Sequence, residues 1–384
     1  MVKQPLKDKW KALAVWKRRL LIALAAVVLL ALLLGVGGYV YLHSMLNLLR
    51  RPVEEFRTPS DAQIEALIGN MEETLPTETT EAPTEEVTEE STEPTKPDYG
   101  VTGKIVNILV VGQDRREGED HKLSDTMILC TLNKQTKTLT LSSFLRDMYI
   151  KLPNVWGHKC GYNRINTAYA LGYAWKGDLG SMQMLDQLIL EQFGVEVDYN
   201  IEIGLEAFQT IIDALGGVDL ELSEEEAAYL NKIPTSYRNY GDCSAGMNHL
   251  NGMAAQFYVR MRHATAADND FNRTARQRKL FEVVIDKCRS MSFMEIHRLM
   301  TELLPDVLTD MTNDEILTCA AELLPYVADI TVVSQQIPAE GTFSSKMIDI
   351  YDIPSAVLVP DVKKNREILM AICEESEESD VAVG

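Results

Sequence analysis

Lys104-Ile-Val-Asn-Ile-Leu-Val-Val-Gly112 is an almost unbroken apolar run that stops at a glycine. A run of this kind suits a strand buried on both faces. Thr126–Leu132 reads as a second strand, Asn133–Lys137 as a turn and Thr138–Ser143 as a third strand returning beside it. Downstream, helical spacing covers Asn166–Trp175, Ser181–Phe193, Leu205–Leu215, the first part of Leu250–Met261, Thr274–Ser290, Phe293–Leu304 and Asp314–Tyr326. Strands are expected at Tyr199–Ile203, at Val218–Leu222 after Gly216-Gly217, and at Ala328–Gln335, while Ile353–Lys364 reads as irregular. Strands alternating with helices specify an α/β domain with helices on both faces of a sheet.

Upstream of this body the chain changes character. Leu20–Leu42 is 23 residues without a charge. As a helix it would span roughly 35 Å, enough for a hydrocarbon core of ~30 Å. Residues 1–19 hold seven Lys/Arg against Asp8 alone, and only Arg50 and Arg51 follow the run. That bias puts the N-terminus in the cytoplasm and the rest outside. The run exceeds a signal-peptide core and no small-residue cleavage site follows it, so a retained anchor is expected. Residues 52–98 hold fourteen Asp/Glu against Arg57 and Lys96, and Glu72–Pro97 is Thr, Glu and Pro with almost no large apolar side chains. Such a segment cannot bury enough surface to offset its ordering entropy, which makes it a self-repelling tether. The expected order is a basic tail (1–19), a transmembrane helix (20–42), an acidic linker (43–103) and one folded domain (104–384).

The 384-residue chain has a net charge of −20, and the part from Tyr99 onward still carries 42 Asp/Glu against 26 Lys/Arg. An acidic body excludes a nucleic-acid backbone binder. None of the six cysteines forms a C-x-x-C pair, which argues against a zinc site. Cys130, Cys288, Cys319 and Cys373 fall in apolar elements as buried thiols, and Cys160 and Cys243 fall in loop-like sequence that leaves pairing across space open.

Against that acidity, Tyr258–Lys279 gathers Arg260, Arg262, Arg273, Arg276 and Arg278. Arg260 and Arg262 leave one face if that piece is extended. Asp270 or Asn272 is a candidate N-cap for the next helix, on which Arg273, Arg276 and Gln277 share a face. Guanidinium forks beside a helix N-terminus suit a multiply charged anion such as pyrophosphate; a solvated charged helix is the plainer reading. Asp114, in the loop Gly112-Gln113-Asp114-Arg115-Arg116, lies where ligands collect in open α/β sheets, at a strand's carboxyl end. Asp114 and Asp125 either hold one hard divalent cation or serve as turn residues. Arg146 follows the third strand, on that same edge or in a salt bridge with Asp147. Asn163 or Asn166 is expected to cap the next helix. No Ser-His-Asp arrangement, P-loop or G-x-G-x-x-G is present.

Seven blocks, in order, resemble the motifs of LytR-CpsA-Psr proteins: N-I-L-V-V-G-Q-D-R, L-S-D-T-M-I-L, S-F-L-R-D-M-Y-I-K-L-P, N-R-I-N-T-A-Y-A-L-G, D-A-L-G-G-V-D, L-N-G-M-A-A-Q-F-Y-V-R-M-R and D-N-D-F-N-R-T-A-R-Q. They span about residues 105–290. The resemblance implies an α/β/α sandwich with a mixed central sheet enclosing an apolar tunnel. It implies a phosphotransferase that moves a teichoic acid- or capsule-like glycopolymer from a polyprenyl-pyrophosphate carrier to peptidoglycan at the outer face of the cell membrane. It would place Mg²⁺ on Asp114 and Asp125. Arg146, Arg260, Arg262, Arg273 and Gln277 would surround the pyrophosphate, with Arg115 or Arg116 nearby. Arg146, Arg260, Arg262 and Asp147 would be the catalytic set, Asp147 being a conceivable base. Two positions depart from the family pattern: Leu123 stands where Arg usually precedes Ser-Asp, with Lys122 before it, and Phe144-Leu145 replaces Ile-Pro before Arg146-Asp147. Two other functions fit the same features, a membrane-anchored transcriptional attenuator and a polyprenyl-pyrophosphate hydrolase.

Overall fold

The computed structural model describes residues 35, 37–52, 103–113, 124–155, 159–261, 270–323, 329–350 and 353–374. It comprises two units, Met1–Leu48 and Leu49–Gly384. In the first, residues 37–46 are helical. Among the described residues no helix is long and apolar enough to cross a membrane; the span expected at 20–42 and the linker expected at 43–103 fall largely outside them. The second unit begins with an extended piece. Arg50 N donates to Val307 O (3.0 Å), Thr309 N donates to Arg50 O (3.1 Å), and the Arg51 guanidinium bonds Met311 O and Asn313 Oδ1.

In chain order the body is β1 (Ile105–Gln113), β2 (Ser124–Asn133), β3 (Thr138–Phe144), β4 (Tyr149–Lys151), β5 (Tyr162–Arg164), α1 (Asn166–Phe193), β6 (Tyr199–Gly204), α2 (Leu205–Ala214), β7 (Val218–Leu222), α3 (Glu224–Lys232), β8 (Gly246–Leu250), α4 (Gly252–Arg260), α5 (Asp270–Arg289), α6 (Phe293–Leu303), β9 (Val307–Thr309), α7 (Asn313–Leu323), β10 (Thr331–Ile337), β11 (Phe343–Ile350), β12 (Ile353–Pro360) and α8 (Val362–Glu374). The central sheet has the order β10-β3-β2-β1-β6-β9 and is mixed. β1 pairs parallel to β6 and β3 parallel to β10, whereas β2 runs antiparallel to both β1 and β3. The carboxyl ends of β1, β3, β6 and β10 therefore share one edge.

The two sides of β1 explain its apolar run. Leu109 and Val111 join Met127 and Leu129 in a core closed by Tyr169, Leu185 and Leu188 of α1 and Leu369 of α8. Ile108 and Val110 point to the other face with Ile128 and Leu141, under Phe281 and Ile285 of α5. A further core joins α2, α3, α4 and the β7–β8 hairpin through Ile212, Leu220, Leu230 and Tyr258. The two expected helices over 166–193 are the halves of α1, bent where Lys176 (φ −135°, ψ 23°) and Gly177 (φ 66°, ψ −149°) leave helical geometry. Gly172 and Gly180 meet across that bend, and a Cβ on either would lie 2.1 Å from the other's carbonyl oxygen.

Several expectations are corrected. Ile353–Lys364 is regular: β12 pairs antiparallel with β11, and α8 starts after Asp361, whose Oδ1 accepts from Lys364 N (3.1 Å). Neither Asn163 nor Asn166 caps α1. Ile165 holds the cap position without a side-chain bond, and Asn163 Oδ1 accepts instead from Arg164 N (2.7 Å) and Thr167 Oγ1 (3.3 Å). No disulfide joins Cys160 to Cys243 or involves the other four cysteines, and Cys288 is only half-buried. Gly216 and Gly217 do take positive φ (74° and 85°), as their turn requires.

Candidate functional site

The parallel pair β1–β6 and the helix that follows it build the site. α2 starts at Leu205, directly after β6 ends at Gly204, so its N-terminus opens at the carboxyl edge of the sheet. An uncapped helix start carries unsatisfied N–H groups and partial positive charge, and Gly204 offers no side-chain cap here. Between the sheet face and α2, α4 and α5 lies a cavity of about 200 Å³. Its walls are apolar: Val110, Ile128, Ile203, Phe208, Ile211, Leu280, Phe281 and Val284 are among them. Its polar side chains are Gln113, Thr126, Arg260 and Gln277. Gln113 is buried at the carboxyl end of β1, Arg260 is the last residue of α4, and Gln277 lies on α5. An apolar chamber with a few convergent polar groups is the usual form of a small-molecule site.

Arg273 precedes Gln277 by four residues on α5 and is almost fully buried, with 3% of its surface exposed. Arg276 is buried as well, donates through Nη2 to Met261 O (2.7 Å), and lies 3.7 Å from Glu226 Oε1. It thus ties Met261, at the end of α4, to α5. Arg278 is half-buried and burial lowers its pKa, with Glu282 partly restoring it. The expectation of a shared extended face for Arg260 and Arg262 fails at Arg260, which is helical. Asn272 is not a cap either, since it lies inside α5.

A second group sits two strands along the same edge, on the order of 10 Å away at the usual strand spacing. Arg146 and Asp147 follow β3, and Asp147 Oδ2 lies 3.6 Å from Arg146 Nε. Its Oδ1 lies 3.5 Å from the Nε of Arg164, the last residue of β5. The salt bridge weighed for Arg146 is therefore present, with a partner on each side of the carboxylate.

β1 and β2 are out of step at this edge: Gly112 pairs with Thr126 but Gln113 with Ser124. Asp125 is the extra residue of that bulge, a device that re-aims a side chain next to many sites. Asp114, Arg115, Arg116 and Arg262 lie outside the described residues, as does the side chain of Asp125. Among the described residues no three His, Cys, Asp or Glu side chains gather to hold a metal.

Arg164 and the cavity wall were not singled out from sequence. Arg164 stands inside the N-R-I-N block, and the pattern Gln277, Leu280, Phe281, Val284 has the i, i+3, i+4, i+7 spacing of one helix face.

The model of the LytR_cpsA_psr family matches residues 71–366. A polyisoprenyl-teichoic acid–peptidoglycan teichoic acid transferase, TagU of Bacillus mycoides (strain KBAB4), is 29% identical over 252 residues, covering 65% of this chain and 74% of that protein. The crystal structure of gbs0355 from Streptococcus agalactiae superposes with a TM-score of 0.58 at 21% identity, covering 72% of this chain and 90% of that one. The family protein YwtF (TagT) with bound octaprenyl pyrophosphate lipid superposes at 0.50 and 21% identity, covering 70% and 90%. The structural likenesses establish a common fold, and the family match extends over most of the sequence: this chain belongs to the LytR-CpsA-Psr family.

Proposed function

We propose that the chain is a transferase that moves a teichoic acid- or capsule-like glycopolymer from a polyprenyl-pyrophosphate carrier to peptidoglycan. The observation that carries this reading is the apolar cavity whose polar lining includes Arg260, Gln113 and Gln277. The apolar walls suit the first isoprene units of a prenyl tail, and the cation and amides suit a diphosphate. The transferase name of TagU and the octaprenyl pyrophosphate bound to TagT support the same assignment.

Phosphoryl transfer asks chiefly for positioning and neutralisation of charge. In this reading Arg260, Arg262, Arg273, Arg146 and Gln277 bind the two phosphates, with Arg115 or Arg116 adding charge from the loop after β1. Arg273, already desolvated, would act more strongly on the phosphates than an exposed arginine. A wall hydroxyl attacks the sugar-linked phosphorus and polyprenyl phosphate leaves. The tail in the cavity keeps the leaving side dry. Asp114 and Asp125 supply hard oxygen donors, the set Mg²⁺ prefers, and the bulge at Asp125 would let it turn toward the loop. Bound there, Mg²⁺ would add charge neutralisation on the diphosphate. The anchor read at 20–42 would hold this body outside the cell membrane, within reach of a membrane-embedded carrier. Protease added to intact cells would then degrade the body, and full protection would contradict that placement.

The test incubates the full chain with an octaprenyl-pyrophosphate-linked saccharide, Mg²⁺ and peptidoglycan. Transfer is expected, with Arg260→Ala slowing it by about 10²-fold. Release of saccharide without transfer would point to the hydrolase. Absence of both reactions would contradict an enzyme and leave the attenuator.

A further inference from the structure

Arg164 has no part in the reading above, yet its surroundings give it one. It ends β5, and the register Tyr149↔Arg164 sets it beside the turn that carries Arg146 and Asp147. The Asp147 carboxylate is bracketed, Oδ1 at 3.5 Å from Arg164 Nε and Oδ2 at 3.6 Å from Arg146 Nε. All three side chains are largely withdrawn from solvent, at 34%, 22% and 20% exposed for Arg164, Asp147 and Arg146. Arg164 Nε itself is sealed from solvent without a hydrogen bond, so the carboxylate is what compensates its charge. The backbone around the trio is also fixed. Leu358 N donates to Asp147 O (3.0 Å), Ile165 N donates to Met148 O (2.8 Å), and Arg164 Nη2 donates to Ala356 O (3.3 Å).

We propose that Arg164 is a positioning residue for the diphosphate site: acting through Asp147, it holds the Arg146 guanidinium in the orientation that meets the phosphates. The proposal rests on the transferase reading. An arginine at a strand end loses rotamer freedom when it binds an anion, and a carboxylate already held on its Nε side removes much of that loss beforehand. The charge pairing at 3.6 Å on the Nε side sets the plane of the guanidinium, and a planar fork in a fixed plane is what bidentate phosphate recognition needs. The same bracket makes Asp147 a strut. A proton acceptor for the attacking hydroxyl would need an oxygen facing substrate, and both oxygens of Asp147 face guanidinium groups.

A double-mutant cycle tests this. The full chain in detergent is titrated calorimetrically with octaprenyl pyrophosphate as wild type, Arg164→Ala, Arg146→Ala and the double variant. Expected is about a tenfold rise in Kd for Arg164→Ala when Arg146 is present, and no more than about twofold when it is absent. An equal loss in both backgrounds, or no loss in either, overturns the positioning role and leaves the transferase reading intact. A wild-type chain that does not bind overturns both. If Arg164→Ala does not fold, Asp147→Asn, which keeps the Leu358 backbone bond, replaces it in the same cycle with the same expected factors. The pH profile of kcat for Asp147→Asn adds an independent readout. An unchanged shape at a lowered rate supports the strut, and loss of the acidic limb would assign proton transfer to Asp147 and overturn it.

Discussion

Arg276 and Arg273 stand three residues apart on α5, both buried, in a stretch whose arginines look alike in sequence. Arg276 is engaged by Met261 O and Glu226, so it joins α3, α4 and α5. Truncating it leaves a buried carbonyl and a carboxylate without their cation. Arg276→Ala is expected to cost about 3 kcal/mol in chemical denaturation, and a loss under about 1 kcal/mol would contradict the structural role. Spacing revealed the shared helical face but not which cation the core would claim, because that depends on Met261 and Glu226 arriving from other elements. Asp186 offers a second residue-scale test. Asn200 Nδ2 bridges Asp186 Oδ2 and Asp310 Oδ2, both at 3.0 Å, and Asp186 Oδ1 is sealed from solvent without a partner. Burial pushes the Asp186 carboxyl up to about 8, the Asn200 bond partly opposes that, and Asp310 adds to it. Asp310 is itself raised by burial, with Arg51 and Glu315 close to it. The folded state thus keeps a proton on Asp186 that the unfolded chain has released above its ordinary 3.8. Stability should therefore fall as pH rises from about 4 to about 8, and Asp186→Asn should flatten that decline. A wild-type stability that rises across this window, or an unchanged slope in the variant, would contradict it.

At the scale of elements, what the sequence disclosed depended on how local each signal was. β1, β2 and β3 show in their apolar runs, and α1 shows as two helices because Gly177 breaks the repeat. β11 and β12 stay hidden. β12 carries Pro354 and Pro360, which argue against a strand, and tolerates them because they stand at its second and last positions in a two-stranded ladder. The signal for α8 was present in Asp361 before Val-Lys-Lys-Asn, as an N-cap sequence read as loop. The cavity belongs to this scale too, since α2, α4 and α5 enclose it against β1, β2 and β6. Val284→Trp would fill it with an indole. Because the indole would extend into the cavity and not into packed core, stability should change by less than about 1 kcal/mol, while octaprenyl pyrophosphate affinity should drop at least about tenfold. Undiminished affinity, measured by the same calorimetric titration, would place the tail elsewhere.

The whole molecule combines an acidic body with a small number of cations collected on one edge of its sheet. The composition argued against a nucleic-acid backbone binder, and the seven ordered blocks pointed to the family, but neither could show that Arg260 and Gln277 share a chamber while Arg146 and Asp147 cluster with Arg164. That division follows from where α4 and α5 pack on the sheet, a long-range property that local sequence does not encode. The claim that joins all scales is that one cavity takes the lipid tail while the cations at the sheet edge take its diphosphate. A crystal structure of the chain with octaprenyl pyrophosphate measures this most directly. The account predicts prenyl density between the β1–β2 face and α5, with the diphosphate against Arg260 and Gln277; lipid density anywhere else, or a diphosphate remote from those two side chains, would contradict it.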